Sequence, residues 1–293
     1  MSERIFFQSR SGLGVTQSHI EQSLVGSGLL AGDVVMVHSR LFTIGRVPTD
    51  IEKNQVSESL LAAIRRVIGA EGTIVIPTFT FSVCSGGYFD KRETPSEMGA
   101  LSEYVRLLSP EARTSHPFYS AVILGPNAAL FEGLDHSTCF GDGSIFHRLH
   151  ELNTAGDTRG RVKFLTIGID CPPEGLSVIH SIEERLSVPY RYHKVFRGVV
   201  NEEGELTPYE VDFFVRDRSA GVEFDGESCW ELLKNDPAVR SHPLGDSMVS
   251  TIPESVLVDV LTNAITLQPG FLCRGGYRPI DARNAKAFGA TSR

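Results

Sequence analysis

Two uninterrupted apolar runs, "DVVMVH" (33–38) and "TIVIPT" (73–78), bracket a single amphipathic segment, and this pattern restricts the fold more than any other feature. Short apolar runs bounded by turn residues read as strands buried on both faces, as in a sheet covered by helices. Between them, "QVSESLLAAIRRVIG" sets Val56, Leu60, Leu61, Ile64, Val67 and Ile68 on one helical face, and Gly69 suits its end. "SAVILG" (120–125) and "VKFLTIG" (162–168) read as two further core strands, with "GSIFHRLHEL" between them as a helix capped by Ser144. "HIEQSLVGSGL" predicts a short helix ending near Gly28. "TPSEMGALSEYVRLL" predicts another, with Thr94 as N-cap, Pro95 as first residue and Glu97 as the return partner of a capping box. Later, "HKVFRGVVNEEGELTPYEVDFFVRD" reads as an antiparallel pair turning at Glu203-Gly204, and "IPESVLVDVLTNAI" as a late helix. The expected architecture is one α/β domain over residues 1–293. Its sheet is mixed, parallel in the first half with an antiparallel addition.

Composition narrows the function. The 293 residues are 41% hydrophobic and 22% charged, enough for a sizeable core. No apolar run approaches the roughly 18 residues a membrane helix needs, and "MSERIFFQSRSGLG" has only a three-residue apolar stretch, far short of a signal-peptide core. Five cysteines (84, 139, 171, 229, 273) are scattered without CxxC spacing. That argues for a reducing compartment, with the cytoplasm as the expectation, and against a cysteine zinc site. The net charge is −8 and no block of Lys or Arg could track a phosphate backbone, so nucleic acid is not an expected partner. Residues 201–236 hold eleven acids against three basic residues (216, 218, 234). They form either a solvated acidic face or a surface that draws cationic substrates.

Three polar clusters follow strands: "HSRLFTIG" (38–45), "TFTFSVCSGGYFD" (78–90) and "GIDCPPEGLSVIH" (168–180). Ligands of open α/β sheets bind beyond the carboxyl ends of strands, so together these point to one cleft. Neither GxGxxG with a following acid nor GxxxxGK[ST] occurs. "FGDGS" offers free backbone N–H groups to an anion or carbonyl, or is simply a glycine-shaped turn. "RTSHPFYS" (113–120) is either a structural turn or a loop that aims His116, which precedes a proline.

The stretch "GLSVIHSIEERLSVPYRYH" (175–193) admits three readings. His180 shares a helical face with Glu183 or Glu184. A metal site would need further ligands, and HExxH and HxxEH are absent. An acid/base pair would have the carboxylate fix the imidazole tautomer, leaving the other nitrogen to take a proton. The third reading is a helix histidine among solvated acids. Ser177 adds a hydroxyl one turn earlier, and no GxSxG elbow makes it a hydrolase nucleophile.

Taken in order, "VMVHSRLFTIGRV" (35–47), "GTIVIPTFTF" (72–81), "FDKRETPSEMGALSEYVR" (89–106), "RTSHPFYSAVILG" (113–125), "FGDGSIFHRLHEL" (140–152) and "IGIDCPPEGLSVIHSIEE" (167–184) resemble the aminoglycoside 3-N-acetyltransferase family. The resemblance spans roughly residues 33–190 and continues more weakly to about 265. It implies a single-domain αβα sandwich and transfer of an acetyl group from acetyl-CoA, without a metal, to an amino group of an aminoglycoside, amino sugar or other cationic amine. Carried over by position, it implies His180 as general base, Glu183 as its orienting acid and Ser177, where a Thr is usual, as the hydroxyl. For CoA it implies His38, Ser39, Arg40, Leu41 and Gly45, with Arg113 and Ser115, and Ser144 at the acyl end. Arg40 stands where the family usually has Ser, and Ile145 where it usually has Pro. Asp212, with Glu223 and Glu227, is a candidate second acid for His180. A homodimer is compatible with this reading. The alternative is a non-catalytic member that binds CoA or a sugar.

Overall fold

The computed structural model describes residues 3–217 and 222–279. β1 (Ile5–Gln8) and β2 (Gly14–Thr16) pair antiparallel ahead of α1 (Gln17–Gly26). β3 (Val34–Ser39), α2 (Lys53–Ile68) and β4 (Thr73–Pro77) follow where the apolar runs predict them. Gly69 closes α2 at φ +69°, a left-handed conformation open to glycine. Next come a one-turn α3 (Val83–Gly86), β5 (Tyr88–Asp90), α4 (Ala100–Leu108) and β6 (Ala121–Leu124). α5 (Ile145–Thr154) is capped as expected by Ser144, which accepts from the His147 N–H at 3.3 Å, and β7 (Val162–Ile167) follows. The remainder holds α6 (Ile179–Arg185), a long hairpin of β8 (Arg191–Glu202) and β9 (Glu205–Arg216), β10 (Glu223–Phe224) and α7 (Gly226–Leu233). β11 (Arg240–Leu244), β12 (Ser247–Pro253), α8 (Glu254–Leu267) and β13 (Cys273–Arg274) complete it. None of the described helices is long and apolar enough to cross a membrane.

The main sheet has six strands in the order β11-β12-β7-β3-β4-β6. Alternation along its strands fills two cores. Val35, Val37, Ile74 and Ile76 face α1, α2 and α4, whereas Val34, Met36, Val75 and Phe164 face α5 and α8. The result is an αβα sandwich around a mixed sheet.

Three expectations need correction. Parallel pairing is confined to β7, β3 and β4; β6 runs antiparallel to β4. The loop through residues 113–120 brings the chain in beside the C-terminal end of β4, where Ala121 registers with Pro77, so β6 must run back. α4 begins at Ala100, behind Gly99 at φ +96°, and not at Pro95. The side chains expected to cap it are engaged elsewhere. The Thr94 hydroxyl accepts from the Asp90 N–H at 2.7 Å, and Glu97 accepts from the Ser82 N–H at 2.8 Å. The β8–β9 hairpin turns at Glu203 and Gly204, both at positive φ, but it does not extend the main sheet. It pairs instead with β5 in a separate three-stranded sheet. Aromatic edges seat it on the core: Phe118 against Phe196 (5.5 Å), Tyr119 against Phe213 (5.6 Å) and Phe140 against Phe213 (5.5 Å).

Candidate active site

A cavity of 1340 Å³ opens where the main sheet's parallel strands end. One wall is the turn after β3, with His38, Ser39, Arg40 and Leu41. Ser177 and His180, after β7, line it too, as do residues of the β8–β9 hairpin. The cleft expected from the post-strand loops is this one.

His180 projects from the first turn of α6, its side chain 25% exposed and its ring edge-on to Phe140 at 5.6 Å. Three residues on, Glu183 is fully buried. Its Oε2 lies 2.7 Å from His180 Nδ1 and 2.8 Å from Arg191 Nη2, and its Oε1 accepts from the Tyr190 hydroxyl at 2.7 Å. Arg191 also donates to the Phe214 carbonyl at 3.0 Å. Burial would raise the Glu183 carboxyl, but Arg191, His180 and Tyr190 outweigh it and hold the group below the usual carboxylate range. For His180, burial and then the Arg191 charge lower the imidazole pKa, and the Glu183 hydrogen bond opposes without cancelling them. The ring therefore rests neutral. Arg191 Nη2 is also 2.7 Å from His180 Nδ1. Since guanidinium only donates, Nδ1 either donates to Glu183 or accepts from Arg191, and the choice sets the tautomer.

The other candidate acids lie elsewhere. Glu184 faces the opposite side of α6, in a second cavity of 360 Å³ with His193, and burial raises its carboxyl to about 6. Asp212 bonds His193 Nδ1 at 2.7 Å, not His180, because strand alternation turns it to that second side. Glu223 is exposed and Glu227 pairs with Arg274. Among the described residues no group of three or more His, Cys, Asp or Glu is placed to hold a metal ion.

Of the residues expected at CoA, His38, Ser39, Arg40 and Leu41 line the cavity. His38 is only 3% exposed, and neither of its buried ring nitrogens has a hydrogen-bond partner. Burial lowers its pKa to about 4. Gly45, at φ +155°, instead lets the turn press on β1, where a Cβ would meet the Gln8 carbonyl oxygen at 2.6 Å. Ser115 and Ser144 are outside the lining. Arg113 is a buried strut. Its guanidinium donates to the carbonyls of Lys91, Thr94 and Thr78 and to the hydroxyls of Thr78 and Ser120, leaving nothing for a phosphate. His116 is structural too, accepting at Nδ1 from the Phe118 and Tyr119 N–H groups, both at 3.0 Å.

Nor does the acidic stretch face the cavity. Glu203 pairs with Arg92, Glu210 with Arg197 and Glu231 with Lys234, while Asp225 caps α7. Of its eleven acids only Asp217 is in the lining; Arg218 lies outside the described residues. The sequence reading missed Tyr190 and Arg191. The available signal was "VPYRYH", polar and aromatic groups directly after the helix break at Ser187 (φ +49°).

Comparison with known proteins supplies the kinship. The profile of the aminoglycoside 3-N-acetyltransferase family matches residues 36–266. The chain belongs to this family. It is 31% identical over 146 residues to aminoglycoside N(3)-acetyltransferase IX of Micromonospora chalcea, covering 43% of this chain and 50% of that one, so the match spans half of that relative's length. It is 26% identical over 217 residues to aminoglycoside N(3)-acetyltransferase VII of Streptomyces paromomycinus, covering 67% and 69% respectively. Among solved structures, the YokD protein from Bacillus subtilis superposes with a TM-score of 0.68 at 20% identity, over 88% of this chain and 95% of that one. AAC-IIIb, solved with CoASH, gives 0.68 at 19% identity, over 86% and 97%. At such identities these two establish the shared fold.

Proposed function

We propose that the chain acts as one acyltransferase domain that moves an acetyl group from acetyl-CoA to an amine, with His180 as general base. The observation that carries this is the buried Glu183–Arg191–Tyr190 assembly, which holds one neutral imidazole at the edge of a cavity of 1340 Å³. Family membership and the CoASH complex of AAC-IIIb support the donor, and Ser39 and Arg40 in the lining fit a polar, phosphate-bearing ligand. Bound acetyl-CoA would supply the activated acyl group.

An amine near neutral pH is mostly ammonium and cannot attack until it loses a proton. With Nδ1–H donated to Glu183, the Nε2 lone pair of His180 takes that proton, and the buried carboxylate stabilises the resulting imidazolium. Arg191 then donates to Glu183 Oε2 and keeps the carboxylate charged. Ser177, in the cavity lining, donates to the acyl oxygen as it turns negative, a contribution of about 3 kcal/mol for a donor of this kind. The His180→Ala variant should lose turnover while calorimetric CoA binding survives. Wild-type-like thiol release from acetyl-CoA would remove His180 from this role.

A further inference from the structure

The hairpin wall of the cavity carries two cations, Arg216 and Lys194, with no direct ion pair among the described residues. Arg216 lines the cavity, is half-buried, and its Nε has no hydrogen-bond partner. Its guanidinium lies over the Phe224 ring at 5.5 Å. In register it sits directly opposite Arg191. Like charges so placed repel, yet Arg191 is compensated by Glu183 at 2.8 Å whereas Arg216 has no carboxylate of its own among the described residues. Lys194, on the same wall, holds its ammonium 4.8 Å above the Phe196 ring and is likewise without a carboxylate. The acids in the lining are Glu97, Glu174 and Asp217, and Glu97 is bound to the Ser82 N–H. A site shaped for a polycation would concentrate acids here. The chain's acid-rich stretch is instead spent on ion pairs and a helix cap away from the cavity.

Position assigns these cations to the acceptor. Arg191 touches both His180 and Glu183, and Arg216 is its cross-strand neighbour. Arg216 therefore sits one guanidinium beyond the proposed base, on the hairpin side of the lining. The amine must reach His180, so the remainder of its molecule extends along this hairpin, while Arg40 remains on the other wall for a donor's phosphates. We propose that the acceptor carries an anionic group, a carboxylate or a phosphate, beside its reactive amine, and that Arg216 with Lys194 binds it. Guanidinium pairs two-pronged with either group, and the ammonium of Lys194 adds a second charge on the same hairpin. This rests on the acetyltransferase reading above.

The test is calorimetric titration of inorganic phosphate into protein saturated with CoA, followed by thiol release with glucosamine, glucosamine 6-phosphate and kanamycin. Saturable phosphate binding is expected, weakened on the order of tenfold to a hundredfold in Arg216→Gln and largely kept in Arg216→Lys. Glucosamine 6-phosphate should be acetylated in preference to the other two, and Arg216→Gln should erase that preference with CoA affinity unchanged. Wild-type protein that binds no phosphate once CoA is present, or Arg216→Gln that weakens CoA itself, would give the cations to the donor and overturn the proposal. So would a preference for kanamycin. Failure of CoA to bind at all would instead sink the acetyltransferase reading, so the two failures are distinguishable.

Discussion

Arg191 decides what His180 can do. Its charge keeps Glu183 ionised and, after burial, is the next influence that lowers the His180 imidazole, so the ring stays unprotonated well below the ordinary value of about 6.5. The acid limb of kcat/KM should accordingly lie below that value. Removing the cation as Arg191→Met takes away one of the two influences that depress His180, so the limb should move to higher pH. A pH–rate profile unmoved by this change would mean that Arg191 is only a structural strut. Glu183→Gln leaves Arg191 buried without its counter-charge, a change that typically costs about 3–5 kcal/mol. The local half of this arrangement was legible, because His180 and Glu183 share one helical turn. Tyr190 and Arg191 were not, since they reach Glu183 only after the chain reverses at Ser187. Asp212 was misplaced for a related reason: one step along a strand flips a side chain to the other face, and nothing local fixes which face meets α6.

The elements themselves were easiest to read where a run is mostly apolar, as in β3, β4 and β7, or where apolar spacing is helical, as in α2. What escaped was direction and partnership. The orientation of β6 depends on where the loop before it arrives, and the capping signature at Thr94-Pro95 was overruled by turns that needed the same hydroxyl and carboxylate. The loop of residues 113–120 tests this at the level of a connecting element. Arg113 ties β4, the segment after β5 and the start of β6 together through five acceptors. Arg113→Met should strand several of them and lower Tm by roughly 5–10 °C, with CoA affinity at permissive temperature unchanged. Lost CoA binding in a variant of normal Tm would restore Arg113 to the donor site.

At the scale of the molecule, three buried imidazoles set the acid sensitivity. Burial lowers His38 to about 4 and His116 to about 3, and it lowers His180 as well. The unfolded chain takes up protons on these rings as pH falls through about 6.5, while the folded chain refuses them until far lower. Their stability contribution is complete above about 6.5 and is lost as pH falls towards their folded values. Burial raises Glu184 to about 6, and raises Asp33 and Glu254 too, which works the other way, while burial of His136 adds a fourth lowered imidazole. Tm should therefore decline steadily between pH 6.5 and about 4.5, and a flat Tm across that window would show that these rings are protonated in the native state.

The hairpin that forms one wall of the cavity shares no strand pairing with the six-stranded sheet; ring edges seat it on the core, beside a single backbone bridge from Asp212 to residues 137–139. Contacts of that kind tolerate exchange of the side chains on the opposite flank far better than a hydrogen-bonded register would. On the proposed division of labour, selection can redraw the acceptor's half of the site by substituting along β8 and β9 while the donor's half stays anchored in the main sheet. Diversification within the family would then concentrate on this detachable panel, and chimaeras exchanged at its ends should inherit their choice of amine from whichever parent supplied it.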